Sequence, residues 1–237
     1  MDRPRIRTFL YTSIDGKVDG NFKNETGSLS SRFFYDDELK RYHSSIIAGR
    51  RTTMIKYGDN SISLDEFKAD KLDKNNNISY QPDLKYYFCL DRKGKVLFNN
   101  NRITFGSDTY KVVEILSNKV DPRFVEYLKS KDIEYFFVDY KNDISEALDI
   151  IKKEYHIDDM LLISGPTTNG AFLNIDAIDS LSLIIAPYIE GNSNSKCMFD
   201  TNRIFNNSKF ILKESHNLSD GGIYLNFVKE QTNSEIY

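Results

Sequence analysis

The sequence predicts an α/β protein built as a three-layer sandwich: a mixed, mostly parallel sheet with helices on both faces and an antiparallel hairpin at the C-terminus. Two observations carry this expectation. Short apolar segments rich in β-branched and aromatic residues alternate with segments of helical period along most of the chain, the pattern of a sheet covered by helices. Near the end, Phe210 to Ser215 and Ile223 to Lys229 flank the turn-rich run Asn217 to Gly222, as the strands of a hairpin do. At 237 residues the chain suits one domain with a sizeable core, so a single domain over residues 1–237 is expected.

In order along the chain, strands are expected at Ile6 to Ile14, Ser45 to Gly49, Lys85 to Leu90, Tyr110 to Leu116, Glu134 to Val138, Met160 to Ile163 and Leu181 to Pro187, before the two of the hairpin. Each is a short apolar run bounded by polar or turn residues. Helices fit Ser31 to His43, Pro122 to Lys131, Ile144 to Tyr155 and Asn169 to Leu173. Asp121 ahead of Pro122 reads as an N-cap before a first-turn proline. Ile144, Ala147, Leu148 and Ile151 repeat at helical spacing, so one face of that helix packs on the sheet. The polar stretch Asp59 to Gln81, with Asn75-Asn76-Asn77, has no clear period and reads as an excursion near the mouth of a site.

Composition removes several function classes. Lys and Arg number 32 against 35 Asp and Glu, a net charge of -3, which argues against a nucleic-acid or membrane-surface binder, whose basic face would show. The cysteines, Cys89 and Cys197, build neither a disulfide framework nor a zinc-ligand spacing, so no metal is expected and a reducing cytoplasm is the natural compartment. The longest apolar runs are strand-sized, far short of the about 20 residues that cross a bilayer. His43 and His156 end helix-like segments, where a cation offsets the dipole, and His216 lies in the hairpin; all three read as structural. Phe33-Phe34-Tyr35 and Tyr86-Tyr87-Phe88 read as core or dimer surface.

Four clusters fall at strand ends or just beyond, where open α/β sheets place ligands. Ser13-Ile14-Asp15-Gly16-Lys17 leaves the first strand through a turn carrying an acid and a base, and Asp-Gly-Lys is equally a common β-turn. Gly49-Arg50-Arg51-Thr52 follows a buried run and opens a helix. A glycine lets backbone approach a phosphate there, and a helix N-terminus with two guanidinium forks favours anions; an Arg-Arg pair also suits a solvated face. Asp91-Arg92-Lys93-Gly94-Lys95 concentrates three positive charges and reads alternatively as a charged hairpin tip. Ser164-Gly165-Pro166-Thr167-Thr168-Asn169-Gly170 joins a strand to a helix through small and hydroxyl residues, suited to a diphosphate cradle although it is neither dinucleotide fingerprint nor P-loop.

In order and spacing, the chain resembles the reductase domain of riboflavin biosynthesis, the C-terminal half of the bifunctional deaminase-reductase, which shares the dihydrofolate reductase fold. Arg3-Pro4, a strand and Ser-Ile-Asp-Gly-Lys resemble that family's opening, and Ile46 to Thr52 its second strand and turn. Pro82 to Asp91 with Gly94 is similar to its third strand and loop. Leu161 to Leu173, then Ile178-Asp179-Ser180-Leu181, Ala186-Pro187 and Gly191, resemble its glycine-loop helix and the strand after it. The chain departs from the family where Ile163-Ser164-Gly165-Pro166-Thr167 stands for Glu-Gly-Gly-Gly-Thr, and at Lys56 to Ser63, where an Asp-Asp-Pro run is replaced. No His-x-Glu with a later Pro-Cys-x-x-Cys is present, so the zinc deaminase chemistry is not expected here.

The resemblance implies NADPH as cofactor, its phosphates held by Gly49, Arg50, Arg51 and Thr52, its adenosine end near Arg92 and Lys93, and its diphosphate cradled by Gly165, Pro166, Thr167, Thr168 and Asn169. It further implies that Lys17 faces the substrate, with Asp15 nearby, and that the ribosyl group of a phosphorylated pyrimidine is reduced to ribityl by a homodimer; Asp15 or a water is the expected proton source. The alternatives are a reductase of the same fold acting on a pterin-like substrate, and a non-catalytic nucleotide-binding dimer.

Overall fold

A computed structural model describes residues 2–42, 44–141, 143–202 and 206–230. His43, expected to end the first helix, lies outside the described residues. The chain forms a mixed, mostly parallel α/β sheet with antiparallel C-terminal strands, and its described residues group into two compact units. One takes in Met1–Pro4 and His43–Gly165, the other Arg5–Tyr42 and Pro166–Tyr237.

In the first unit, β2 (Ser45–Gly49), β3 (Lys85–Leu90), β5 (Asp108–Leu116), β6 (Glu134–Phe137) and β7 (Asp159–Ile163) run parallel, in the order β6, β5, β3, β2, β7. Every residue of β2 is buried, as a strand covered on both faces requires. A strand absent from the sequence reading, β4 (Arg102–Phe105), pairs antiparallel with the start of β5, which begins at Asp108 rather than Tyr110. Only Ile103 of β4 is buried, so its apolar signal is faint. The turn between them uses Gly106 at φ 62°, in the left-handed region where glycine is free of strain.

Among the described residues, this unit carries the α-helices α2 (Arg50–Tyr57), α3 (Pro122–Ser130) and α4 (Asp143–Tyr155). Asp121 caps α3, its carboxylate accepting the Arg123 N–H at 2.9 Å with Pro122 in the first turn. The anticipated apolar face of α4, Ile144, Ala147, Leu148 and Ile151, is buried. Tyr155 from this helix meets Tyr86 at 4.9 Å and Phe88 at 5.0 Å, both edge to face, so the Tyr86-Tyr87-Phe88 run is core.

The Asp59 to Gln81 stretch lies along α3 and the β6 edge rather than at a site mouth. Asn77 exchanges two backbone hydrogen bonds with Tyr135, and the Asn76 side chain accepts the Phe137 N–H at 3.0 Å. Asp65 pairs with Arg123, Asp73 with Lys129, and Phe67 meets the Tyr127 ring. The stretch thus saturates β6 backbone groups that an open edge would offer to another chain.

The second unit contains β1 (Arg5–Thr12), α1 (Leu29–Arg41), α5 (Pro166–Asn174), β8 (Ser180–Ile185), β9 (Phe210–Asn217) and β10 (Ile223–Lys229). β1 pairs parallel with β8, β8 antiparallel with β10, and β10 with β9 in the anticipated hairpin. β1 stops at Thr12, two residues before the expected Ile14, because Ser13 already opens a turn. Tyr35 of α1 packs on Phe9 and Tyr11, and Phe34 on Tyr224. Asp220, in the hairpin turn, accepts the Ser31 N–H at 2.6 Å and the Ser31 hydroxyl at 2.8 Å, tying that turn to the start of α1. The expected helix Asn169 to Leu173 instead begins at Pro166 and runs to Asn174.

Candidate active site

In the first unit, chain order and sheet order diverge at β2. From β2 the chain moves outward through β3 to β5 and β6, then returns across α4 to place β7 on the other side of β2. The loops after β2 and β7 leave this pair toward different neighbours, and such a reversal is where open α/β sheets bind ligands. Gly49 ends β2 and Gly165 follows β7, with Ala48 registered against Ile163.

Gly49 is also the N-cap of α2, extended at φ −78° and ψ 147°, with no side-chain cap. The first-turn N–H groups of α2 therefore have no capping oxygen, which suits an anion. Arg50 and Arg51 are exposed beside them, and Thr52 is half-buried. Thr53 is not available to a ligand: its hydroxyl meets the Gly49 carbonyl at 3.2 Å and the Tyr87 hydroxyl at 3.0 Å. A Cβ built on Gly165 meets nothing within 4 Å, so open space faces this glycine. The adjacent Ser164 hydroxyl is buried without a hydrogen-bond partner. A bare helix start, exposed guanidinium groups, an open glycine and an orphaned hydroxyl fit the phosphates of a dinucleotide.

The third cluster follows β3, whose end is registered beside β2, with Gly49 opposite Leu90. It is a folded turn organised by Asp91, whose carbonyl accepts the Gly94 N–H and whose carboxylate accepts the N–H groups of Lys95 and, at 2.7 Å, Val96. Gly94 sits at φ 60°, where a Cβ would run into Val120 and Phe124. Arg92 leaves the turn toward α4: its guanidinium pairs with Asp143 at 3.1 Å and lies over the Tyr140 ring, which also carries Lys119 at 3.9 Å. Lys93 is exposed. Gly49, Arg50, Arg51, Arg92, Lys93 and Gly165 thus stand at the C-terminal ends of three neighbouring strands.

In the second unit, Asp15 and Lys17 occupy a turn stapled to the segment 188–197. The Asp15 carboxylate accepts the Ser13 hydroxyl at 2.6 Å and the N–H groups of Glu190 and Gly191 at 2.9 and 3.0 Å. The Ser13 hydroxyl and those backbone donors lower its pKa to about 2. Asp15 is therefore ionised at neutral pH, which favours water over Asp15 of the two expected proton sources. The Lys17 ammonium donates to the Ser195 carbonyl at 3.1 Å and lies 3.6 Å from the Cys197 sulfur.

In the fourth cluster the helix begins three residues earlier than expected. Pro166, Thr167, Thr168 and Asn169 are the first turn of α5 and not a loop, because proline at a first helical position starts a helix. That turn packs on the segment 198–201: the Pro166 carbonyl accepts the Asp200 N–H at 3.0 Å, and the buried Asn169 amide donates to the Met198 carbonyl at 3.0 Å. Asn169 Oδ1 remains without a partner, and Thr167 is exposed.

Two buried carboxyls stand near the basic turns: Asp91, named in the third cluster but given no role of its own, and Glu114, which escaped the sequence reading. Glu114 stands in the apolar strand run Val112-Val113-Glu114-Ile115-Leu116, and an acid there was the available signal. Neither Glu114 oxygen has a hydrogen-bond partner, and burial together with the nearby Asp91 raises its pKa well above the usual range. Cys89 is buried beside it, whereas Cys197 is exposed, and both are free thiols. No cluster of three or more potential metal ligands occurs among the described residues.

Comparison with known proteins adds the lineage. The riboflavin biosynthesis protein RibD of Buchnera aphidicola subsp. Baizongia pistaciae is 24% identical over 228 residues, which cover 92% of this chain and 54% of that protein. The chain thus spans about half the length of this curated relative. A pyrimidine reductase-like protein from Corynebacterium diphtheriae superposes with a TM-score of 0.68 at 14% identity, covering 96% of this chain and 92% of that one. RibD of Acinetobacter baumannii superposes with a TM-score of 0.63 at 18% identity, covering 97% of this chain and 59% of that one. The family described as RibD C-terminal domain matches residues 4–224, so the chain belongs to the RibD C-terminal domain family.

Proposed function

We propose that the chain is an NADPH-dependent reductase of riboflavin biosynthesis, converting the ribosyl group of a phosphoribosylamino-pyrimidine to ribityl. The observation that carries the cofactor half is the reversal of strand order at β2 and β7, flanked by the uncapped start of α2 and the open space at Gly165. Family membership and the pathway named for the Buchnera relative support the substrate half.

Gly49, Arg50, Arg51 and Thr52 would hold cofactor phosphates, with Arg92 and Lys93 toward the adenosine end and Gly165 along the diphosphate. When bound, the nicotinamide supplies hydride to the imine carbon of the ring-opened sugar. The chain's own residues bind, orient and exclude. Lys17 orients the substrate, exchanging its hold on the Ser195 carbonyl for a phosphate or pyrimidine carbonyl oxygen. Asp15 keeps that turn in place as a permanent carboxylate, and the proton that reaches the substrate nitrogen comes from solvent. A cytoplasmic homodimer completes the reading; two free thiols suit a reducing compartment, and β9, with Leu212 exposed, offers a strand edge to a second copy.

Incubating the purified chain with NADPH and the phosphoribosylamino-pyrimidine tests this. Loss of NADPH absorbance matched by ribityl product in the mass spectrum supports it. Oxidation with a pterin substrate alone, or cofactor binding without turnover, overturns it.

A further inference from the structure

Asp91 is a fully buried carboxylate placed where two sequence clusters would otherwise be independent. Its carboxylate oxygen Oδ2 accepts the N–H groups of Lys95 and Val96, which fixes the path of the basic turn after β3. Its other oxygen has no hydrogen-bond partner, and Arg50 stands at the neighbouring strand end, one residue past Gly49, which is registered against Leu90 next to Asp91. Beneath it, Glu114 lies in the adjacent strand without hydrogen-bond partners.

Two buried acids this close do not both ionise readily, because like charges in a low-dielectric interior repel. The surroundings decide which one keeps the proton. Asp91 has backbone donors at its carboxylate, whereas neither Glu114 oxygen has a hydrogen-bond partner, so these surroundings favour the charge on Asp91 over Glu114. That charge is enclosed by protein and cannot meet a ligand. It acts only on what surrounds it: the backbone of the Arg92 to Lys95 turn and the Arg50 guanidinium.

We propose that Asp91 is the positioning residue for the anion site of the cofactor, joining the turns after β2 and β3 so that their basic side chains serve one phosphate. This rests on the reading of the chain as a nicotinamide-dependent reductase and adds which residue sets its preference between cofactors. NADPH differs from NADH by the 2′-phosphate alone, a dianion whose recognition depends on correctly aimed cations. A misaligned Arg50 and a slack basic turn lose that phosphate while leaving the shared parts of the two cofactors as well bound as before.

Titration of the full chain with NADPH and with NADH, for the native protein and for Asp91→Asn, tests the inference. The expected result is a native preference for NADPH that falls by at least about tenfold in Asp91→Asn, with NADH affinity changed by less than about threefold. An equal loss for both cofactors marks Asp91 as a general structural residue and overturns the inference, as does an unchanged preference. A native protein that binds neither cofactor overturns the reductase reading and the inference with it, whereas native NADPH preference preserved in the variant overturns the inference alone. If Asp91→Asn does not fold, Asp91→Ser, which keeps a small polar side chain next to the turn amides, is read by the same criteria.

Discussion

The Lys111 ammonium lies 2.5 Å from Glu134 Oε1 inside the first unit, with the two side chains only 8% and 3% exposed. Tyr155 donates to the other Glu134 oxygen at 2.8 Å, so strands β5 and β6 and helix α4 are joined through one buried carboxylate.

Removing one partner of such a pair leaves an uncompensated charge in the core. Lys111→Met is expected to destabilise the protein by about 3–5 kcal/mol in urea unfolding. The double variant Lys111→Met/Glu134→Gln is expected to recover a large share of that loss, because no charge is left stranded. A single-variant cost below about 1 kcal/mol, the range of exposed pairs, would mean that water reaches the site.

Glu114 gives a pH dependence of stated sign. Burial, and then the neighbouring Asp91, raises its native pKa above that of the unfolded chain, about 4.3. Between those two values the native state holds a proton that the unfolded state has released, so stability falls as pH rises through the window. Burial likewise raises Asp91, whose contribution runs in the same direction. Glu114→Gln removes the penalty: its Tm should match the native protein near pH 4 and exceed it increasingly toward pH 8. A constant Tm difference across that range would show that Glu114 does not carry the proton.

How much of this was legible beforehand depends on where the determining interactions lie. Ser45–Gly49, Lys85–Leu90 and Ile223–Lys229 were readable to the residue at both ends, because their β-rich runs are closed by turn or charged residues. β4 was not, since it buries Ile103 alone and exists through pairing with β5. The start of α5 was hidden because Thr167, Thr168 and Asn169 resemble loop residues, while Pro166 gave the opposite signal. In the site, the glycines and basic residues after β2, β3 and β7 stood out as abrupt changes after apolar runs. Asp91 and Glu114 did not, because their roles come from burial and from neighbours distant in sequence.

Asp15 is expected to behave as a clamp. Asp15→Ala frees the N–H groups of Glu190 and Gly191, so amide exchange at these two positions should rise. In Asp15→Asn, the pH profile of kcat/KM should keep the native shape. Loss of an ionisation from that profile would restore Asp15 as a proton-transfer group.

Lys17 separates from the cofactor groups by kinetics. Lys17→Ala should lower kcat/KM by at least tenfold, about 1.4 kcal/mol, with NADPH affinity nearly unchanged. Native kinetics would return Lys17 to a purely structural tie with the Ser195 carbonyl.

The central claim is that a dinucleotide binds where strand order reverses between β2 and β7, and Gly165→Val tests it most directly. Because a Cβ at this position meets no protein atom within 4 Å, a new side chain is felt mainly by a ligand. NADPH titration and thermal unfolding of the same preparation should show binding lost and Tm unchanged to within a few degrees. A folded Gly165→Val protein that binds NADPH as tightly as the native chain would contradict the account.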